Sequence, residues 1–370
     1  TLTDMNLVDN TGYIQYALSN NSGETYVNGE TYITVGDSSV AFDVYDYTYG
    51  GYAETPVVYV NTTGVITGMI EVSESIENDL NISGGTFTVE IAEAWCADGF
   101  IPKYNGDGTW TVKEGQYVAR IGETGYEELD KAFAAAQDND EVKILVAGTY
   151  NLTTSGKNIT ITGAVDGVVF DNIGAKNMGG ANVTFNNVTF DYYPNVNYTG
   201  LQHSGNLVYN NCTINGQVFL YGTSETFNEC IFNQNSADAY NVWTYGAKDV
   251  DFIECTFNSA GKSVLIYAEG ASIFNNVNVT KCTFNASAPV AGKAAIEMDS
   301  SLTAGINLTI DDATTATGFD NGNVSGNSLW NNKKGNETEA NNDITVVVND
   351  ETVLAPLTLV AAAGGTNYTS

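Results

Sequence analysis

The sequence predicts an all-β fold whose main part is a parallel β-helix, a solenoid in which each coil stacks on the one before it. Three observations support this prediction. A six-residue motif recurs five times, its copies are spaced as the coils of a solenoid are, and the composition favours short strands joined by tight turns. A short capping α-helix and additional β-strand segments at both ends complete the predicted fold.

In the six-residue motif, a small apolar residue, usually Cys, is followed two positions later by a large apolar residue and three positions later by Asn or Asp. Side chains two positions apart lie on the same face of a strand, so the Cys and the large residue share a face. The five copies span Asn186–Asp191, Asn210–Asn215, Asn228–Asn233, Ile253–Asn258 and Thr280–Asn285.

The Cys-like positions of the motif are separated by 24, 18, 25 and 27 residues. Intervals in this range match one coil of a solenoid, and nearly identical motifs in successive coils stack in register. The stacking predicts three columns of side chains. An interior apolar column is expected from Phe190, Ile214, Phe232, Phe257 and Phe284, and a second interior column from Cys212, Cys230, Cys255 and Cys282. A turn column is expected from Asp191, Asn215, Asn233, Asn258 and Asn285.

Each column has an expected chemistry. Asn tolerates the left-handed conformation, and stacked amides can hydrogen-bond from coil to coil, so the Asn column is expected to mark a turn. Stacked cysteines are too far apart at Cβ for a disulfide and cannot surround a zinc ion tetrahedrally, so the Cys column is expected to hold buried free thiols. Cys96 lies outside this pattern.

The composition agrees with many short strands. Of the 370 residues, 43% are hydrophobic and only 15% are charged, and the polar residues are mostly Asn, Thr, Ser and Gly. Such a chain buries a large core and favours strands and turns.

The elements divide the chain into four predicted segments. The first is Tyr-rich and alternates apolar with polar residues. The second contains strands, a short solenoid-like segment that includes Ser83–Phe87, and a hairpin signal at Asn105–Gly108. The third holds the solenoid and begins with a helix at residues 125–137, whose apolar face is expected to cap the open end of the coils. Within this segment, residues 312–343 are predicted as a loop or coil end. The fourth begins with the strand Ile344–Val348, continues with a second strand over Val353–Val360, and ends in a polar tail. The segments are residues 1–60, 61–118, 119–343 and 344–370.

The charge balance excludes some partners. The chain has 44 acidic and 13 basic residues, a net charge of −31. Nucleic acid is therefore not expected as a partner, and anionic polysaccharides and membranes would be repelled. Divalent cations such as calcium can bridge acidic surfaces, and no other cofactor is indicated. The charge can equally serve only to keep a surface protein soluble.

Sites for N-glycosylation are frequent, with fifteen Asn-X-Ser/Thr triplets. Together with a start at Thr1 rather than Met, they predict a mature secreted chain whose leader has been removed, located outside the cell or on its surface. Asn-rich turns beside Thr-rich strands also create such triplets without modification, and some, such as Asn211, lie close to the packed columns. The candidate sites are Asn20, Asn61, Asn81, Asn151, Asn158, Asn197, Asn278, Asn307, Asn323, Asn336 and Asn367.

Two further features bear on partners. No run of eighteen apolar residues exists, so no membrane span is expected. Tyr45, Tyr47, Tyr49 and Tyr52 form a dense group that suits a protein interface or a glycan site, or else a half-buried strand face.

The pattern resembles the pectate-lyase-like superfamily of right-handed parallel β-helices over about residues 117–312. The entry sequence Gly125–Asp138 followed by Val142–Tyr150 looks like the capping helix and first coil of such proteins. The Asn-Asn-Cys-Thr-Phe-Asn type of coil, rich in sequons, is most similar to adhesin-like and cell-surface proteins of methanogenic archaea. This resemblance implies a right-handed coil and a surface location, and says little about function.

Enzymes of that superfamily cut acidic polysaccharides. The lyases use calcium held by carboxylates and an Arg or Lys that takes a proton, and the hydrolases use a cluster of Asp with a neighbouring His and a basic residue. The solenoid has no Arg beyond Arg120, and His203 stands in a predicted loop without neighbouring acids. Asp249 and Asp251 form one carboxylate pair, which is more often a solvated face than a catalytic set. We therefore expect a protein that is not an enzyme.

The first functional hypothesis is a structural protein that self-assembles through its terminal β-segments into a sheath, surface layer or filament. The alternative is a monomeric adhesin or glycan-binding surface protein, and the second alternative is a polysaccharide lyase or hydrolase.

Overall fold

The computed structural model of the chain confirms the all-β prediction, with 54% of residues in strands and 4% in helices. Contacts divide the chain into two compact units, Thr1–Tyr117 and Val118–Ser370. The structure describes residues 1–9, 12, 15–36, 38–47, 54–73, 80–153, 156–171, 175–192, 201–244, 246–269, 275–301, 305–320, 328–332 and 344–355.

In the part that the structure describes, the first unit contains thirteen strands and a short 3-10 helix at Glu93–Trp95. Its strands are β1 Leu2–Thr3, β2 Asn6–Val8, β3 Tyr16–Asn20, β4 Glu24–Gly29, β5 Tyr32–Thr34, β6 Val40–Val44, β7 Val57–Thr62, β8 Val65–Thr67, β9 Met69–Val72, β10 Leu80–Ile82, β11 Thr86–Phe87, β12 Phe100–Tyr104 and β13 Trp110–Glu114.

Successive strands of the first unit fall on three parallel sheets in rotation, which makes it a parallel β-helix. One sheet has the order β1-β4-β7-β10, the next contains β2-β5-β8-β11, and the third has the order β3-β6-β9. The coils also continue across residue 60, because β7 spans that predicted boundary and pairs with both β4 and β10.

Apolar side chains at matching positions build the core of the first unit. Ile33 and Ile66 are neighbours in register, as are Ile66 and Phe87, and all three are fully buried. The registered positions Leu2, Val27, Val60 and Ile82 are separated by 25, 33 and 22 residues. The coils therefore differ in length, because the loops that connect their strands differ in size.

The predicted hairpin closes one sheet of the first unit. β12 and β13 pair antiparallel around the Asn105–Gly108 turn, and β13 also pairs antiparallel with β11. Gly106 and Gly108 both have positive φ, which glycine adopts without steric strain. The hairpin thus ends the run of parallel strands on that sheet.

The second unit begins with β14 Ala119–Ile121, β15 Thr124–Tyr126 and the helix α1 Leu129–Ala135. The predicted helix at residues 125–137 is therefore wrong at its start, because Gly125 and Tyr126 pair antiparallel with Arg120 and Ala119. The buried face of α1 consists of Leu129, Ala132 and Phe133, which belong to the core of the coils.

The remaining strands form the coils of the second unit. They are β16 Glu141–Ile144, β17 Gly148–Tyr150, β18 Ile159–Gly163, β19 Val168–Phe170, β20 Ala175–Asn186, β21 Thr189–Asp191, β22 Leu201–Asn210, β23 Thr213–Asn215, β24 Val218–Leu220, β25 Ser224–Asn228, β26 Ile231–Asn233, β27 Val242–Trp243, β28 Asp249–Ile253, β29 Thr256–Ser259, β30 Val264–Glu269, β31 Asn275–Thr280, β32 Thr283–Ala286, β33 Ile296–Ser301, β34 Ile306–Ile310, β35 Thr315–Thr317, β36 Trp330–Asn332, β37 Ile344–Val348 and β38 Glu351–Leu354.

These strands line three faces of a parallel β-helix. The first face runs β16-β18-β20-β22-β25-β28-β31-β34-β37. The second face is the eight-stranded sheet β17-β19-β21-β23-β26-β29-β32-β35. The third face consists of the amino-terminal parts of β20 and β22 followed by β24, β27, β30, β33 and β36.

The coils extend beyond the segment in which the sequence predicts them most clearly. β35 and β36 lie within residues 312–343, predicted as a loop or coil end, and pair parallel with the preceding coil. β37 also joins this stack through β34, and β38 folds back on β37 antiparallel. Most of the predicted strand Val353–Val360 lies outside the described residues. Among the residues that are described, no helix is long and apolar enough to cross a membrane.

Candidate functional site

The Phe column has the predicted interior position. Ile214 and the four Phe residues at this position, Phe190, Phe232, Phe257 and Phe284, are at most 1% exposed and lie in register on the second face. The rings of Phe232 and Phe257 stack with centroids 4.5 Å apart, as do those of Phe257 and Phe284. This column is therefore core and is closed to any ligand.

A second aromatic column, absent from the sequence prediction, packs edge-on against the first. Phe185, Tyr209, Phe227 and Phe252 are in register on the first face, with ring centroids 5.1, 4.3 and 5.3 Å apart. The signal was present in the sequence, since an aromatic residue stands three positions before Val188 and before each of the first three motif cysteines.

The cysteines are free thiols, and the four in the motif are buried as predicted. Each motif thiol lies within 3.5 Å of two backbone carbonyl oxygens, for example those of Tyr209 and Asn228 around Cys230 Sγ. Hydrogen bonding with Cys255 and burial raise the pKa of Cys282, and hydrogen bonding with both neighbouring cysteines and burial raise the pKa of Cys230. Hydrogen bonds from those two thiols lower the pKa of Cys255. All four thiols are at most 1% exposed, so the column is packed core and is closed to reagents.

Cys96 lies in the first unit beside the 3-10 helix and is partly buried. Burial and the charge of Glu93 raise the pKa of Cys96 to about 12. It is therefore a poor nucleophile.

The turn prediction for the Asn column is wrong in its position. The residues with positive φ are Asn187, Asn211, Glu229, Glu254 and Lys281, with φ of 51° to 56°. They occupy the second position of the motif, at the bend between the first and second faces. Asn215, Asn233, Asn258 and Asn285, at the sixth position, all keep negative φ. In three of the five copies the second position is Glu or Lys. The preference of Asn for the left-handed conformation therefore did not point to this position.

The predicted amide hydrogen bonds are confirmed in the Asn column. Each Nδ2 donates to the Oδ1 of the preceding coil, over 2.9 Å from Asn233 to Asn215, 3.0 Å from Asn258 to Asn233 and 3.2 Å from Asn285 to Asn258. A second amide ladder joins Asn228 to Asn210 and Asn210 to Asn186 on the first face, over 2.7 and 2.8 Å. Both ladders tie neighbouring coils together.

An open groove of about 500 Å³ runs along the Asn column. Its described lining comes from equivalent positions of three successive coils, where the second face ends. The lining residues are Asn233, Gln234, Asn235, Asn258, Ser259, Ala260, Asn285, Ala286 and Ser287. None of these nine side chains is ionisable, so the groove presents neutral amides and hydroxyls together with apolar surface.

Glu225 places a carboxyl group in the interior. It is fully buried in register between Leu207 and Val250, and its Oε1 accepts a hydrogen bond from Gly222 N at 2.7 Å. Its Oε2 has no hydrogen-bond partner, and burial raises the pKa of Glu225 well above its usual value. A perturbed carboxyl can mark an active site. This one lies in an aliphatic column, where no substrate can reach it.

A second buried carboxylate, Glu297, ties a loop to the third face. Lys293 Nζ lies 3.0 Å from its Oε1, and the Tyr240 hydroxyl donates to its Oε2. Lys262 Nζ lies 5.7 Å from the centre of the Tyr240 ring. Both carboxylate oxygens are engaged, so the cluster holds the loop before β27 and does not offer a base.

The other acidic and basic candidates do not converge. Asp249 and Asp251 lie within β28, and each accepts a 2.7 Å hydrogen bond from an Asn of the next coil. The backbone of His203 lies in strand β22 beside Leu220, and so the predicted loop is wrong. Within the described part of the chain, no three His, Cys, Asp or Glu side chains are grouped as metal ligands.

The structure separates the glycosylation candidates by exposure. Asn61, Asn151 and Asn278 are exposed, whereas Asn81, Asn158 and Asn307 are half-buried. Asn20 is buried, and its Nδ2 donates to Gly23 O and Val57 O, so a glycan there would displace both bonds. Asn197, Asn323, Asn336 and Asn367 lie outside the described residues.

The Tyr-rich group is only partly described. Tyr45 and Tyr47 are exposed, with ring centroids 5.5 Å apart, while Tyr49 and Tyr52 lie outside the described residues. A second aromatic pair is formed by Tyr26 and Tyr59 on neighbouring coils, whose ring centroids stack 4.9 Å apart.

Comparison of the chain with protein-family models, curated proteins and solved structures gives no match. The resemblance to pectate-lyase-like proteins and to archaeal surface proteins therefore stays a prediction.

Proposed function

We propose that this chain is a non-enzymatic extracellular structural protein that joins copies of itself, coil upon coil, into a filament, sheath or surface layer. The observation that carries this proposal is the open end of the first unit. In the part of the chain that the structure describes, β1, β2 and β3 each pair with another strand on one side only.

The open end offers both hydrogen bonds and apolar surface to a partner. Unpaired strand edges readily add a further strand. Leu2, Leu7 and Leu18 pack on the end of the core and stay partly exposed, and Met5 and Val8 beside them are 43% and 41% exposed. By contrast, α1 packs on the first strands of the second unit, where it covers the end of that core.

The described part of the second unit also has an unpaired strand edge, to which the open end of the first unit of another copy could add. β35 is the last strand of the second face and pairs only with β32 among the described residues. Joining the first coil of one copy to such an edge on another copy is a head-to-tail contact, which gives an open fibre unless the rotation closes a ring. The net charge of −31 opposes this contact, and salt or calcium would relieve the repulsion.

The test places charge on the open end. The double variant Leu7→Glu and Leu18→Glu places two carboxylates on the surface that a coil of another copy would cover. We expect this variant to remain monomeric under conditions in which the native chain polymerises. The matched control is Val65→Glu, which adds a carboxylate at an outward position 39% exposed on the inner strand β8.

Light scattering after size-exclusion chromatography and negative-stain imaging, with and without calcium, give the readout. Circular dichroism checks that each variant is folded. Equal polymerisation of the double variant and the control would contradict the proposal.

A further inference from the structure

We propose that the groove along Asn233, Asn258 and Asn285 is a binding site for an uncharged polysaccharide. The site is independent of the proposed assembly, because it lies on the side of the coils and not at a strand edge.

The first argument is the hydrogen-bonding capacity left in the amide ladder. A side-chain amide has two N–H donors and an oxygen with two lone pairs. Asn258 uses one N–H toward Asn233 and one lone pair toward Asn285. One donor and one acceptor remain on this amide, as they do on Asn233. Paired donors and acceptors of this kind match sugar hydroxyl groups, which both donate and accept.

The second argument is the fixed geometry of the groove. Asn233, Asn258 and Asn285 are neighbours in register on β26, β29 and β32, so their amides repeat at the strand spacing of about 4.8 Å. The ladder itself holds the side chains in place before any ligand arrives, which lowers the entropic cost of binding. A repeated array of neutral groups suits a polymer with a repeated array of hydroxyls.

The third argument is charge. The groove lining has no ionisable group among its nine described residues, and the chain as a whole carries −31. An acidic polysaccharide would meet repulsion and no basic partner, whereas an uncharged one would lose nothing. The exposed Asn235 and Ser287 lie at the outer coils of the groove and add polar contacts there.

Binding to a short oligosaccharide is expected to be weak, with a Kd on the order of 1 mM, because the described lining offers no aromatic ring for stacking. Copies joined in a polymer would raise the apparent affinity for a long glycan through multivalency.

The experiment uses the purified chain and a panel of neutral tetrasaccharides, namely cello-, malto-, manno-, laminari- and xylotetraose, with tetragalacturonate as the anionic probe. Saturation-transfer NMR detects weak binding. We expect at least one neutral member to bind and tetragalacturonate not to bind. Absence of binding to every neutral member, or preference for tetragalacturonate, overturns the proposal.

Three variants locate the site. Asn258→Ala removes the central amide, and we expect at least a tenfold loss of affinity. Asn210→Ala is the matched control, because Asn210 is also the middle residue of an amide ladder yet lies outside the groove. We expect it to bind as the native chain does. Ser287→Trp fills the groove without breaking the ladder, so it tests the site if Asn258→Ala does not fold, and it should also lose binding. Native affinity in Asn258→Ala or Ser287→Trp, or equal loss in the control, overturns the assignment.

Discussion

At the scale of single residues, Glu225 places a carboxyl group in an interior column where the neighbouring coils hold Leu207 and Val250. One of its oxygens accepts from Gly222 N and the other has no partner. A buried polar atom without a hydrogen bond costs about 1–3 kcal/mol. In this buried position the protonated carboxyl has a lower free energy than the ionised one, which agrees with the raised pKa of Glu225.

Glu225→Gln is expected to stabilise the folded chain at neutral pH. The folded pKa of Glu225 lies above the unfolded value of about 4.3, so the native chain keeps its full stability below that value and loses some of it as the pH rises toward the folded pKa. Gln stays neutral throughout and retains an acceptor for Gly222. Chemical denaturation of both proteins from pH 4 to pH 8 gives the difference in unfolding free energy.

The difference between the two proteins should be smallest at pH 4 and should grow with pH to the order of 1–3 kcal/mol. Comparing the pair removes the general repulsion among the acidic residues other than Glu225, which is common to both proteins. A difference that stays constant over this range would mean that Glu225 does not change its ionisation on folding.

The motif made the Phe and Cys columns predictable, because side chains two apart must share a face. The same alternation, counted back from Phe227, also points Glu225 inward. A charged side chain such as that of Glu225 normally faces solvent, however, so the sequence alone did not decide whether Glu225 points into the core or out of it. The groove was not predictable either, since it needs the side chains of three coils to be placed together.

At the scale of elements, the bend between the first and second faces is made by one left-handed residue in each coil. A residue with a Cβ pays about 1–2 kcal/mol in this conformation, and Gly pays little. Asn187 and Asn211 suit the bend, whereas Glu229 at φ 53° does not.

Glu229→Gly is therefore expected to raise the unfolding free energy by about 0.5–1 kcal/mol, after the greater freedom of Gly in the unfolded chain is subtracted. Glu229→Val should lower it, because a β-branched residue fits the left-handed region poorly. Thermal or denaturant unfolding measures both. A destabilising Gly and a harmless Val would show that the bend is not left-handed at this position.

The elements differ in how far the sequence revealed them. The hairpin around Asn105–Gly108 was predicted because its turn residues are specific. The helix was predicted to begin four residues too early, since Gly125 and Tyr126 fit the helical pattern yet gain strand pairing. In the first unit, the sequence predicted only a short solenoid-like segment within residues 61–118. The other coils were recognised as strands but not as a solenoid, because they lack a repeated motif and differ in length.

At the scale of the whole molecule, the chain consists of two units that each stack parallel strands. Interior apolar columns stabilise each of the two units, and amide ladders add to this in the second unit. The described strands at the open end of the first unit, β1, β2 and β3, each leave one edge unpaired. We therefore expect function to arise where copies meet, and along the neutral groove on the side of the second unit.

The central claim is that copies add coil upon coil, and fibre diffraction from the purified native chain, concentrated with calcium, tests it most directly. Stacking of coils end to end predicts filaments with a reflection near 4.8 Å along the filament axis, the spacing of neighbouring strands. A chain that remains monomeric at every concentration, or filaments whose 4.8 Å reflection lies across the axis, would contradict the account.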